Sequence, residues 1–318
     1  MARKKKENKK LAQLLNLPKI LAEGITTEKL DAIYLDLSAL KHQPEPLYRL
    51  DIKGHRLYYR FVDEMPIFYT SVTTLIKNTL PTPSALIKWL TEQDNGEAEA
   101  MERASYGTFL HSACQTLLIQ GFYDLDALES TLKEFLVGEQ LPPNRIKWTQ
   151  ELKKDLCAFA QFVIDKQVKP LAIEIILFHP DDGYAGAIDL VCEMNFSKKR
   201  IVAIVDIKSG RKGFYESHEI QLKAYQTMWQ LHFPDIRVEK VFNFSPKSWV
   251  KAPTYNLKDQ TEAKSAEKLP HLVALAKIEE SRRDNMIISI EGKLELAKGL
   301  AQNISEKLLT DLVKENKL

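Results

Sequence analysis

Two consecutive strand patterns, YAGAIDLVCE at 184–193 and RIVAIVDIK at 200–208, constrain this chain more than any other segment. Both have high β-propensity, and NFSKK joins them. In the second, period-2 alternation sets Asp206 and Lys208 on one face with Val202 and Ile204. Ile201, Ala203, Val205 and Ile207 fall on the other. Both faces are apolar, so the pattern is that of a buried central strand. A carboxylate and an ammonium at its end are costly unless paired or bound to a metal. In the first strand Asp189 shares a face with Ala185, Ala187 and Val191. A two-residue turn at Ser197-Lys198 sets Asp189 opposite Asp206, with Cβ atoms about 4.5–5.5 Å apart. Two carboxylates that close repel unless a cation lies between them, and hard oxygen ligands favour Mg²⁺ or Mn²⁺. On this segment alone a purely structural Asp–Lys–Asp salt-bridge cluster stays open as the alternative.

The rest of the chain reads as α/β, with helices before and after the sheet. Segments 11–17 and 17–25 carry apolar residues at helical spacing, so 11–40 is expected to form one or two short helices punctuated by Pro18 and Gly24. Strand patterns follow at 47–52, 56–62 and 66–72, then a short helix capped by Ser71 or Thr73. A helix is expected from near Ser84, and others over 95–120, 125–137, 145–168 and 217–231. A strand is expected near 238–245, and the Lys-, Glu-, Leu- and Ala-rich residues 258–318 read as helices. This divides the chain into a basic tail at 1–10, a helical and β-hairpin region at 11–105, a core at 106–250 and a helical region at 251–318.

With 45 Lys and Arg against 43 Asp and Glu, net charge identifies no partner, so any nucleic-acid surface must come from local clustering. Three scattered cysteines, Cys114, Cys157 and Cys192, supply neither a disulfide framework nor a cysteine-rich metal site, and fit a reducing compartment. No apolar run approaches the ~18 residues of a membrane span, so a cytoplasmic protein without a membrane partner is expected.

Four further segments carry polar residues at telling spacings. GTFLHSACQTLL at 107–118 is a helix with Gly107 and His111 one turn apart. AIEIILFHP at 172–180 is a strand in which Glu174 shares a face with Ala172, Ile176 and Phe178. EIQLKAYQTMW at 219–229 puts Gln221 and Tyr225 on one helix face. RKGFY at 211–215 directly follows the Asp206–Lys208 strand. In order, Gly107 to His111, Glu174, GAID ending at Asp189, DIK at 206–208 and Gln221 to Tyr225 resemble the RecB-like branch of the PD-(D/E)XK nuclease superfamily. YTSVTTLI at 69–76 and ERASYGTFLH at 102–111 are also similar to the phage exonucleases and the mitochondrial genome maintenance exonuclease. Two segments imitate the motifs. Asp51-Ile52-Lys53-Gly54 runs into a turn with no acid strand before it, and Pro180-Asp181-Asp182-Gly183 reads as a β-turn.

The resemblance implies a restriction-endonuclease-like core, a central mixed sheet flanked by helices, with helical N- and C-terminal additions. It assigns a metal to His111, Asp189, Asp206 and the backbone carbonyl of Ile207. Asp189, Asp206, Lys208 and Glu174 are the implied catalytic set: Lys208 positions or helps deprotonate the water, and Glu174 orients water or a neighbouring group. Gln221 and Tyr225 would steady the substrate strand or the active-site helix. The four cysteines of the family's iron–sulphur sub-branch are absent. For DNA, Arg211, Lys212, Tyr215 and Trp249, with Phe214, Lys247 and Lys147-Trp148, are candidates for phosphate contact and base stacking. The expected activity is a DNA exonuclease acting on single strands or free ends in recombination, repair or phage replication, in a bacterial or phage-infected cell. A replication or recombination protein is an expected partner. A structure-specific or defence endonuclease, or a non-catalytic DNA-binding module, are the alternatives.

Overall fold

The computed structural model describes residues 28–52, 55–63, 65–92, 96–138, 148–211 and 213–278. The basic tail, the helices expected within 11–27, the turn at Lys53-Gly54, Lys147, Lys212 and the helices expected beyond 278 lie outside the described residues.

The strands are β1 (Glu28–Leu30), β2 (Tyr34–Leu35), β3 (Leu47–Ile52), β4 (His55–Val62), β5 (Met65–Ser71), β6 (Lys169–His179), β7 (Tyr184–Phe196), β8 (Lys199–Ile207), β9 (Lys240–Pro246) and β10 (Tyr255–Asp259). The helices are α1 (Leu37–Leu40), α2 (Val72–Thr79), α3 (Ser84–Glu92), α4 (Gly96–Gln120), α5 (Leu128–Gly138), α6 (Trp148–Lys166) and α7 (Glu216–His232). They form a mixed α/β fold of the restriction-endonuclease-like kind. Its ten-stranded sheet has the path β1-β3-β4-β5-β7-β8-β9-β10, with β6 paired to β7 and β2 paired to β6. The pairs β5–β7 and β8–β9 are parallel.

Strand β7 organises this sheet. Along one side it pairs with β6 from Tyr184 to Glu193. Along the other it pairs first with β5, at Tyr184 and Ala185, and then with β8 from Leu190 onward. Between those two partners the sheet forks, and Asp189 sits in the fork. The β7–β8 register closes on Phe196↔Lys199 with Ser197 and Lys198 at φ 48° and 65°. Two successive positive φ angles make the tight two-residue hairpin that follows the twist of its strands.

Alternation decides the layers. Ile201, Ala203, Val205 and Ile207 of β8 belong to an apolar core with Tyr106, Phe109 and Leu110 of α4, Leu132 of α5, and Leu156, Phe159 and Phe162 of α6. Helix α7 packs on the other side of the sheet, burying Ile220, Ala224, Met228 and Trp229. Ser71 caps α2, its Oγ accepting from the Thr74 amide at 3.1 Å.

Two sequence expectations change. Residues 28–30 and 34–35 are strands rather than helix, because β3 and β6 offer them open ladder edges. Residues 255–259, read in part as helical, extend the sheet along β9; local composition does not report that long-range pairing. Helix α4 runs unbroken from Gly96 to Gln120. Pro180-Asp181-Asp182-Gly183 is a turn, with Gly183 at φ 72°. A boundary after Leu269 divides the chain into two compact units; every element named above lies in the first.

A Cβ on Gly186 would come within 2.9 Å of Tyr225 Cε1 on α7 and 3.3 Å of Val72 Cγ2 on α2. Gly186→Ala should therefore destabilise the fold by about 1–3 kcal/mol, read as a lower urea midpoint. An unchanged midpoint would contradict this packing. At the start of α7 the Tyr215 amide donates to His218 Nδ1 at 3.3 Å. Burial, reinforced by the charge of Lys208, depresses the His218 pKa to about 3. The folded state thus binds fewer protons than the unfolded chain, whose histidine titrates near 6.5. Its contribution is complete above that value and is lost as pH falls from there towards 3. His218→Gln should flatten the decline in thermal midpoint between about pH 6 and 4, and an identical slope in both proteins would refute it.

Candidate active site at the forked strand

Past Leu190↔Val205 the β7–β8 ladder ends. One further step in the same register sets Asp189 opposite Asp206. There the Ile207 amide donates to Asp189 Oδ2 at 2.7 Å. The side chain thus takes up a backbone donor where the strands part. Asp189 Oδ1 stands 3.5 Å from His111 Nδ1 of α4. Gly107, one turn before His111, lets α4 approach the chain after Lys208: a Cβ there would lie 3.2 Å from Ser209 Oγ.

Asp206 is 1% exposed and fully engaged. Lys208 Nζ lies 3.0 Å from its Oδ1 and 2.9 Å from its Oδ2. Asn243, its register partner on β9, donates Nδ2 to Oδ2 at 2.7 Å. Lys208 Nζ also donates to Gln221 Oε1 at 3.1 Å, and Gln221 Nε2 donates to Tyr225 Oη at 2.6 Å. The i, i+4 pair on α7 is thereby tied to the acidic strand.

Glu174 on β6 brackets Asp189 from the other side. Its neighbours pair as Ile173↔Leu190 and Ile175↔Ile188, while its own φ is 52°. A left-handed glutamate inside a strand is strained and interrupts the simple alternation expected from sequence. Its Oε2 accepts from Gln115 Nε2 at 2.8 Å, and Gln115 follows His111 by one turn of α4.

The charges are mutually dependent. Burial raises the Asp206 carboxyl above its ordinary range; Lys208 pulls it back, and the charge of Asp189 pushes it up again. Burial works against ionised Asp189 too, but His111 beside it holds the carboxyl below the usual range. Burial disfavours the charged His111 ring, and Asp189 outweighs that, raising its pKa to about 9. Burial, then the charge of Asp189, lifts Glu174 to about 7.

Among the described residues no three His, Cys, Asp or Glu side chains are gathered into a metal cluster. The expected ligands are satisfied by each other, by Lys208 and Asn243, and by the Ile207 amide. The donor chemistry nonetheless fits a hard divalent cation: two buried carboxylates, with the charge of Asp189 acting on Asp206, offer oxygen ligands. His111 would have to release its proton to act as a ligand.

The nucleic-acid candidates fare unevenly. Arg211 engages Glu151 and the fully buried Asp155 of α6, so its guanidinium is committed to carboxylates rather than presented to phosphate. Asp155 also accepts from Tyr106 Oη at 2.6 Å. Trp148 is 1% exposed and donates to Glu102; it is core and has no face for a base. Trp249 packs on α6, donating Nε1 to the Lys154 carbonyl at 3.1 Å. Tyr215 is 52% exposed, and Phe214 is half-buried beside it. Sequence reasoning missed Gln115, Asn243 and Gln260, and also Arg49 and Arg56, which lie near enough to lower Glu174. Gln115 was signalled by its i+4 spacing from His111, and Asn243 by standing between two phenylalanines in an apolar strand. Gln260 carried no local signal.

No described helix is long and apolar enough to cross a membrane. Among curated proteins, none matches the chain. A crystal structure from Eubacterium rectale, itself assigned only provisionally as an exonuclease, is 13% identical with a TM-score of 0.30. It covers 54% of this chain and 68% of the other, a likeness too low to carry an argument. The family model described as the PD-(D/E)XK nuclease superfamily matches residues 86–295, more than half of the sequence, and the chain therefore belongs to that superfamily.

Proposed function

We propose that the chain is a metal-dependent DNA exonuclease of the RecB-like type, acting on single strands or free ends in recombination, repair or phage replication. The observation that supports the reading is the β7–β8 register, whose last pair, Leu190↔Val205, lies one step from Asp189 and Asp206, together with the charge of Asp189 felt at Asp206 and the bond from Lys208 to Asp206. Superfamily membership supplies the substrate class.

In this reading Asp189 and Asp206 would hold a Mg²⁺ or Mn²⁺ ion, joined by the Ile207 carbonyl and His111 as the motif resemblance implies. The bound ion would supply Lewis acidity at the scissile phosphate and at the attacking water. Lys208, fixed between Asp206 and Gln221, offsets negative charge developing on the phosphate and holds the water or its proton. Glu174, with a pKa of about 7, orients water near the same atoms. Gln221 and Tyr225 fix the Lys208 ammonium. Tyr215 and Phe214, which follow the Lys208 strand in sequence, would stack on bases, with Lys212 and Trp249 as further contacts.

Digestion of end-labelled DNA tests the chemistry. Asp206→Asn and Asp189→Asn should abolish cleavage in Mg²⁺ while leaving the protein folded, and full activity in either would end the assignment. Lys208→Ala should slow cleavage by about 10²–10⁴-fold without loss of metal binding; a small rate loss beside a large stability loss would favour a structural salt bridge instead. For substrate, linear single strands should be degraded to short products while a closed single-stranded circle resists. Linearisation of the circle at a comparable rate would replace exonuclease with endonuclease.

A further inference from the structure

We infer that Asn243 and Gln260 are positioning residues for the candidate site, a buried amide relay that fixes the Asp206 carboxylate from the C-terminal side of the sheet. The inference rests on the metal-nuclease reading of Asp206. Asn243 is 0% and Gln260 4% exposed. Asn243 Nδ2 donates to Asp206 Oδ2 at 2.7 Å, and Gln260 Nε2 donates to Asn243 Oδ1 at 3.1 Å. The second bond fixes the first. With its carbonyl oxygen held by Gln260, the Asn243 side chain presents only its NH₂ group to Asp206. That arrangement favours the ionised, accepting carboxylate and sets its rotation about the strand.

The far end of the relay is itself anchored. The Gln260 amide donates to the Val241 carbonyl at 2.9 Å. Thr261 Oγ1 accepts from the Val241 amide at 3.1 Å, and the Thr261 amide donates to Asp259 Oδ1 at 2.9 Å. The same segment grips the helix that carries Gln221. Lys258 Nζ lies 3.7 Å from Glu219 Oε1, Ser265 Oγ donates to Glu219 Oε2, and Lys268 pairs with Glu216. Residues 255–268 therefore hold two of the groups around Lys208, Asp206 through β9 and Gln221 through α7. The bonds run from Gln260 to Asn243 and from Asn243 to Asp206, so both amides act through Asp206.

The test uses the full chain with Asn243→Leu, Gln260→Met and the double variant, beside the wild type and Asp206→Asn. Mn²⁺ affinity is measured by calorimetry, kcat and KM on a labelled single strand, and folding by thermal midpoint. Each single variant should weaken Mn²⁺ binding and lower kcat by about 10–100-fold, with KM for DNA unchanged. Gln260→Met, the more distant change, should show this with its thermal midpoint near that of the wild type. The double variant should be no worse than Asn243→Leu alone, because Gln260 acts only through Asn243. Folded variants with wild-type Mn²⁺ affinity and kcat, beside an inactive Asp206→Asn, would overturn the relay alone. Additive losses in the double variant would also overturn it. A wild type that neither binds Mn²⁺ nor cleaves DNA would overturn the functional reading and the relay with it.

Discussion

A carboxylate with 1% exposure, set inside an apolar strand, obliges its surroundings to compensate it. Asp206 is that group, and the architecture around the fork answers it. An ionised carboxylate removed from water needs charge or hydrogen-bond donors on every available lone pair. Lys208 and Asn243 provide them from β8's own continuation and from its parallel neighbour. Each provider is in turn held, Lys208 by Gln221 and Asn243 by Gln260. Helix α7 and the segment after β10 thus acquire fixed places because one buried oxygen pair requires them.

The fork in the sheet explains why the charge sits there. A continuous ladder would occupy both edges of β7 with backbone bonds. Because β5 leaves after Ala185 and β8 joins only at Leu190, residues 186–189 have an edge open to side chains. Asp189 uses it by accepting the Ile207 amide, Gly186 by admitting Tyr225. Glu174 meets the same irregularity across β6 with a left-handed backbone. Parallel pairing of β8 with β9 then brings Asn243 level with Asp206.

Much of this was legible in the sequence because it depends on local periodicity. The two-residue turn at Ser197-Lys198, the faces of β8, and the Gln221–Tyr225 spacing follow from periods of 2 and 3.6. What the sequence hid depends on partners far along the chain. Trp148 looked available for stacking until α4 and the core closed over it, and Arg211 looked like a phosphate contact until α6 supplied Glu151 and Asp155. Strand β10 hid within a helix-like composition, and Gln260 has meaning only once β9 lies beside it. Glu174 was legible as a partnered acid but not as a strained one, since backbone strain leaves no mark on residue pattern.

The central claim is that Asp189 and Asp206 form a cation site rather than a salt-bridge cluster complete in itself, and ligand-linked stability decides between them. A cation that binds only the folded state stabilises it by about 2.7 kcal/mol at one hundred times its dissociation constant. Thermal unfolding of the full chain with and without millimolar Mn²⁺ should show a raised midpoint in the wild type and none in Asp206→Asn. A wild-type midpoint indifferent to Mn²⁺ and Mg²⁺, or an equal rise in both proteins, would contradict the account.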